Sequence, residues 1–124
     1  TSSQLWGPVT DQIANMHMEI GHPTCKGDII VENDVWIGAL STIMSGIKIH
    51  NGAVVAANSV VTKDVPPYAI VAGNPAQIVK FRFTQEQIES LLKIKWWEWD
   101  EEKIRSEASE MWCPNIDAFI KKHL

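Results

Sequence analysis

Cysteine, long apolar runs and surplus positive charge are all scarce in this chain of 124 residues. Its two cysteines, Cys25 and Cys113, are too few for a disulfide framework, so a reducing, cytoplasmic compartment is expected. No apolar stretch approaches the ~20 residues of a membrane-spanning helix, and no charged-then-apolar stretch has signal-peptide character. A formal net charge of −4 argues against a sequence-general grip on nucleic acid, which needs many phosphate-neutralising cations. The His, Cys and carboxylate spacings show no metal-ligand pattern. What is present is a 45% hydrophobic content, far too apolar for a disordered chain and suited to one packed domain. The first residue is Thr1, not Met, which reads as a fragment or a processed form.

Charge and aromatic residues are unevenly spread. Residues 1–25 carry two acids and no Lys or Arg, residues 26–83 five cations against four acids, and residues 84–124 six cations against nine acids. Lys63, Lys80 and Arg82 stand near the end of the middle segment, and four of the six Trp (Trp96, Trp97, Trp99 and Trp112) lie in the last third.

The middle segment repeats every six residues. Cut as VENDVW, IGALST, IMSGIK, IHNGAV, VAANSV, VTKDV, its pieces all begin with an aliphatic residue: Val31, Ile37, Ile43, Ile49, Val55 and Val61. The fifth positions, Val35, Ser41, Ile47, Ala53, Ser59 and Val65, are apolar or small. Neither the 3.6-residue period of a helix nor the two-residue period of a strand produces this spacing, and the strands of a sandwich are not so regular. Three short β segments per turn do produce it. Each coil then takes eighteen residues and stacks Val31 on Ile49, Ile37 on Val55 and Ile43 on Val61, with Cys25 under Ile43 and Ile29 under Ile47. Coils about 4.8 Å apart let these ladders seal an interior. About two coils fit between residues 25 and 65, and so short a solenoid needs caps or partners.

Pro66 and Pro67 are expected to break the six-residue register, and Gly73-Asn74-Pro75 to turn the chain between two apolar runs. Thr84 through Gln87 reads as a capping box opening a helix with Ile88, Leu91 and Leu92 on one face. Asp100 caps a second helix carrying Ile104, and Pro114-Asn115 opens a third with Ile116, Phe119 and Ile120. The Trp cluster at 96–99 is the expected apolar joint. The organisation is thus an excursion loop over residues 1–24, holding Trp6, Met16, Met18 and Pro23, then β coils and a C-terminal β segment over 25–83, then a helical tail over 84–124.

The stretch from Lys26 to Phe83, and above all VAANSVVTKDVPPYAIVAGNPA together with KIKWWEWDEEKI, resembles the hexapeptide-repeat acyltransferases and is most similar to the xenobiotic acetyltransferases, among them the type B chloramphenicol and streptogramin enzymes. The resemblance implies a mainly β fold, a left-handed parallel β-helix with a C-terminal α-helical tail, against the usual right-handed crossover. It implies a homotrimer with acetyl-CoA, as co-substrate, in a cleft between neighbouring subunits. Ala39, just after Trp36-Ile37-Gly38, and Ala57 fall where the family's coil lines the pantetheine arm, with Trp36 and Gly38 counted among the cofactor-binding residues, and Thr62 and Lys63 fall at the step that meets the nucleotide end. Lys80 takes the place of a basic residue facing the CoA phosphates, while Gln77 stands where related sugar enzymes often carry a cation.

The implied reaction is attack of an acceptor hydroxyl on the thioester, with a His as general base and donors for the oxyanion. Of the four histidines, His50 is at an outward position and His123 at the terminus, both read as solvated, while His17 and His22 lie on the loop. None stands in the family's catalytic motif, which places the base upstream of Thr1 and leaves no catalytic residue assigned within the chain. The expected function is O-acetylation of a small hydroxyl acceptor such as an antibiotic. Acetylation of a sugar or polysaccharide, and a non-catalytic CoA-binding or trimeric scaffold, are the alternatives.

Overall fold

The computed structural model describes residues 25–111 and 115–124. The readings on His17, His22, Trp6, Met16, Met18 and Pro23, and those on Trp112, Cys113 and Pro114, lie outside the described residues. Among these residues eight strands and three α-helices follow in order: β1 (Ile30–Val31), β2 (Trp36–Ile37), β3 (Thr42–Ile43), β4 (Lys48–Ile49), β5 (Val54–Val55), β6 (Val60–Val61), β7 (Ala69–Gly73), β8 (Ala76–Phe81), α1 (Gln85–Ile94), α2 (Glu101–Met111) and α3 (Ile116–His123), with a 3-10 turn at Trp96–Glu98 between the first two helices. The described chain is therefore mainly β, with a helical C-terminal part.

The six-residue period builds stacked parallel coils. β1 pairs with β4, β2 with β5 and β3 with β6, in register Val31↔Ile49, Ile37↔Val55 and Ile43↔Val61. Each two-residue strand points its second residue, aliphatic in all six, inward, so Ile49, Val55 and Val61 are fully buried in one core with Ile47, Ala53, Val65, Ala69 and Val71. Burying one such side chain stabilises the fold by about 1.5–3 kcal/mol. In the first coil the equivalent Val31 is 46% exposed, because no described residue stacks beyond it.

The corners share one conformation. Asp34, Leu40, Gly46, Gly52 and Asn58, six residues apart, all take positive φ between 56° and 74°. The N–H of each of the last three donates to a carbonyl nineteen residues back: Gly46 to Gly27, Gly52 to Asn33 and Asn58 to Ala39. Glycine and asparagine adopt this region readily, whereas Leu40 enters it against the steric preference of a branched chain.

The expected end of the register needs correction. The register breaks before Pro66, not at it, and Val65 belongs to the first-position ladder, not to the fifth. Val65 bridges Ile49 sixteen residues earlier, and β7 continues that shortened spacing through Val55↔Val71. The corner after Val61 has lost two residues, and the Asp64 carboxylate accepts the Lys48 N–H at 2.8 Å in place of a backbone carbonyl. The left-handed position, missing from the contracted corner, reappears at Tyr68, three residues after Val65, as at the five corners from Asp34 to Asn58.

β7 turns through Asn74-Pro75, a cis peptide, into antiparallel β8, giving a four-stranded sheet in the order β2-β5-β7-β8. Thr84 then makes both bonds of the capping box with Gln87 and starts α1. Asp100 accepts from Lys103 N–H and Asn115 from Ala118 N–H at the next two helix starts. Ile88, Leu91 and Phe119 form a second core around Tyr68, with Trp96 and Trp99 packed against it. His123 is not solvated as expected: its side chain is 9% exposed, its ring lies 4.7 Å from those of Trp99 and Phe119, and Nε2 is 3.3 Å from Glu107. Sequence position at a terminus does not show which helix face turns inward.

Candidate functional site

The coil has three kinds of corner, and their outer residues differ. After β1 and β4 stand Asn33 and Asn51; after β3, Ser45; after β2 and β5, Ala39 and Ala57. Where the residue is Asn, side chains consume the backbone donors: Asn51 Oδ1 accepts the Asn33 N–H at 2.9 Å, and Glu32 Oε1 accepts the Asn51 N–H at 3.2 Å. Alanine has nothing to offer. Among the described residues no group accepts from the Ala39 or Ala57 N–H, and both residues are exposed. Gly38 keeps the approach open, since a Cβ there would stand 2.5 Å from the Ala57 nitrogen and 2.9 Å from its Cα.

Of the residues singled out in the sequence, Gly38, Ala39 and Ala57 therefore converge. Trp36 is 71% exposed on the same sheet, where Trp36↔Val54, Val54↔Ile70 and Ile70↔Lys80 are successive register partners. Lys80 thus ends a row that begins at Trp36, on exposed strand β8. Thr62 and Lys63, also exposed, lie one corner further on, after β6. Within one chain they face a different side of the coil, because successive six-residue units turn to successive corners.

The histidines lie elsewhere. His50 follows β4, and its Nδ1 is 2.9 Å from Glu32, which also faces Lys48 Nζ at 3.8 Å. His50 is therefore half-buried and paired, not simply solvated, and His123 belongs to the helical core. Among the described residues no group of three or more His, Cys, Asp or Glu could hold a metal ion, and no helix is long and apolar enough to cross a membrane.

The sequence reading missed a cavity of about 40 Å³ between the coils and the helices, lined by Asp34, Tyr68, Arg82, Trp96, Met111 and Phe119 among others. Tyr68 packs its ring over Gly52, and its buried hydroxyl has no hydrogen-bond partner among the described residues. Burial pushes the phenol up to about 12, aided by the Asp34 charge and opposed by Arg82. Arg82 donates to the Gly52 carbonyl at 2.8 Å and to Asp34 at 3.3 Å, joining coil to tail.

Comparison with known proteins places these coils. Residues 28–63 match the bacterial transferase hexapeptide family of six repeats. A chloramphenicol acetyltransferase of Klebsiella aerogenes is 51% identical over 90 residues, which are 73% of this chain and 43% of that protein. A probable macrolide acetyltransferase of Lysinibacillus sphaericus is 56% identical over 79 residues, 64% of this chain and 44% of its own length. A second chloramphenicol acetyltransferase, of Agrobacterium fabrum, is 44% identical over 95 residues, 77% of this chain and 46% of its own. The chain spans less than half the length of these relatives.

Proposed function

Because the chain belongs to the hexapeptide-repeat acetyltransferases, within their xenobiotic branch, we propose that it is part of a cytoplasmic O-acetyltransferase that transfers the acetyl group of acetyl-CoA to a hydroxyl of a small antibiotic-like acceptor. The observation that carries this reading is the pair of unaccepted amides at Ala39 and Ala57, spaced by one coil and kept uncovered by Gly38. A pantetheine arm carries two amide carbonyls, which such donors fit. The coil is taken as left-handed and the assembly as a homotrimer. Trp36 lies beside the arm, and Thr62, Lys63 and Lys80, which one chain keeps on different sides, meet the nucleotide and phosphates across the cleft between subunits.

The chemistry follows from the donor geometry. Acetyl-CoA supplies the activated acyl group; the acceptor oxygen bonds to its carbonyl carbon, the C–S bond breaks, and the CoA thiol leaves. Neither His50 nor His123 faces the alanine corner, so the base that takes the hydroxyl proton is a histidine outside the described residues.

Release of CoA thiol is the test, with chloramphenicol, a macrolide, a streptogramin and a panel of sugars as acceptors. Turnover of one of the antibiotics by the full-length protein supports the reading. Turnover of sugars alone moves the substrate class, and acetyl-CoA binding without turnover of any acceptor reduces the chain to a binding scaffold.

A further inference from the structure

The inside of the alanine corner differs from the inside of the others as its outside does. Fifth positions of the repeat are Val35, Ile47 and Ala53 elsewhere, but Ser41 and Ser59 behind Ala39 and Ala57. Ser59 is completely buried. Its hydroxyl donates to the Ala56 carbonyl at 2.6 Å and accepts the Gly73 N–H at 3.3 Å. The Ser41 hydroxyl stands 2.9 Å from the Gly38 carbonyl and 3.0 Å from that of Ala56, donating between them.

These two carbonyls belong to the peptide units that carry the exposed amides. In a planar trans peptide the C=O and the following N–H point in opposite directions. A serine that draws the Ala56 carbonyl inward therefore turns the Ala57 N–H outward, and one that draws the Gly38 carbonyl inward does the same for Ala39. Without an inward donor, a carbonyl facing an apolar core would be left unpaired, which is strongly disfavoured. The hydroxyls thus pair these carbonyls and hold the outward-facing amides in place, where Val, Ile or Ala at the same position supplies no donor.

We propose that Ser41 and Ser59 are positioning residues that aim the Ala39 and Ala57 amides at the acyl donor from inside the coil. This rests on the acetyl-CoA reading for its ligand, though not for the amide orientation itself.

The test compares the full chain with Ser41→Ala, Ser59→Ala and Ser41→Thr, the last of which keeps the hydroxyl. Two ligands are titrated by calorimetry: acetyl-CoA, and adenosine 3′,5′-bisphosphate, which has the nucleotide end and no arm. The backbone amide resonances of Ala39 and Ala57 are recorded in the free proteins. Ser41→Ala, which leaves the Gly38 carbonyl without its donor, is expected to raise the Kd for acetyl-CoA about tenfold, the worth of one well-placed hydrogen bond, and Ser59→Ala by less, because Ser41 still reaches the Ala56 carbonyl. The bisphosphate Kd stays within about twofold, Ser41→Thr restores acetyl-CoA binding, and the Ala39 or Ala57 resonance shifts or broadens before ligand is added. Folded alanine variants with wild-type amide resonances and wild-type acetyl-CoA affinity overturn the proposal. An equal loss for both ligands in Ser41→Ala and Ser41→Thr alike also overturns it, as plain destabilisation. Should Ser59→Ala not fold, the Ser41 pair decides. If the wild-type chain binds neither ligand, the acetyl-CoA reading fails, and the free-protein resonances alone decide the role of the serines.

Discussion

Gly38 lies so close beneath Ala57 that a Cβ on residue 38 would stand 2.5 Å from the Ala57 nitrogen, well inside any ordinary contact. The neighbouring atoms are backbone, which cannot swing aside. Gly38→Ala must therefore part the coils or cover the Ala57 amide. Acetyl-CoA affinity is expected to fall more than tenfold, with a loss of stability of about 1–3 kcal/mol from overpacking. Calorimetry and thermal melting read the two effects, and unchanged binding in this variant would contradict the assignment of the corner.

Lys63 and Lys80 are exposed and contribute to no buried cluster, so removing either should leave the melting temperature unchanged. Lys63→Ala and Lys80→Ala are each expected to weaken acetyl-CoA binding by about three- to tenfold at low salt, and by less at high salt, where charge contacts are screened. Calorimetry at two ionic strengths checks this. A loss that does not depend on salt would take the phosphates away from these lysines.

Tyr68 is the only tyrosine, so its titration is directly visible in the ultraviolet spectrum. Burial favours the neutral phenol, and ionisation is expected near pH 12 instead of the usual 10. The sign for stability follows. Below pH 10 both folded and unfolded chains hold the proton; between 10 and 12 only the folded chain does. Stability therefore falls as pH rises through that window. A midpoint at 10 in the folded protein would show the ring to be solvated.

The same hydroxyl has no partner among the described residues, so Tyr68→Phe is expected to be neutral or slightly stabilising in chemical denaturation. Gly52→Ala is the opposite case, because φ is +72° there and the new Cβ would run into the Tyr68 ring. It should destabilise by about 2 kcal/mol or more and loosen the tail from the coils.

Much of the coil was readable from spacing alone. The ladders Val31↔Ile49, Ile37↔Val55 and Ile43↔Val61 stand where the six-residue period puts them, and Thr84, Asp100 and Asn115 start helices because their short side chains meet orphan N–H groups. The contracted corner at Asp64 was hidden, since a carboxylate replacing a carbonyl leaves no periodic trace. The left-handed corner positions carry glycine or asparagine at Gly46, Gly52 and Asn58; Asp34 and Leu40 share the conformation without announcing it. At the candidate site, family resemblance picked out Gly38, Ala39 and Ala57. Ser41 and Ser59 passed as merely small residues, because the work of an inward hydroxyl depends on which carbonyl lies within reach.

The trimer proposed from the family is open to sedimentation. A species of three chains, unchanged on dilution into the micromolar range, is expected, and a monomer would remove the proposed cleft between subunits and with it the proposed role of Lys63 there.

The most direct measurement is a titration of the isotope-labelled chain with acetyl-CoA, followed through its backbone amide resonances. Saturable shifts that are largest at Ala39 and Ala57, and smaller at Thr62, Lys63 and Lys80, are the predicted result. Unchanged Ala39 and Ala57 resonances at saturating acetyl-CoA, or shifts confined to the residues around Tyr68 and Trp96, would contradict the account.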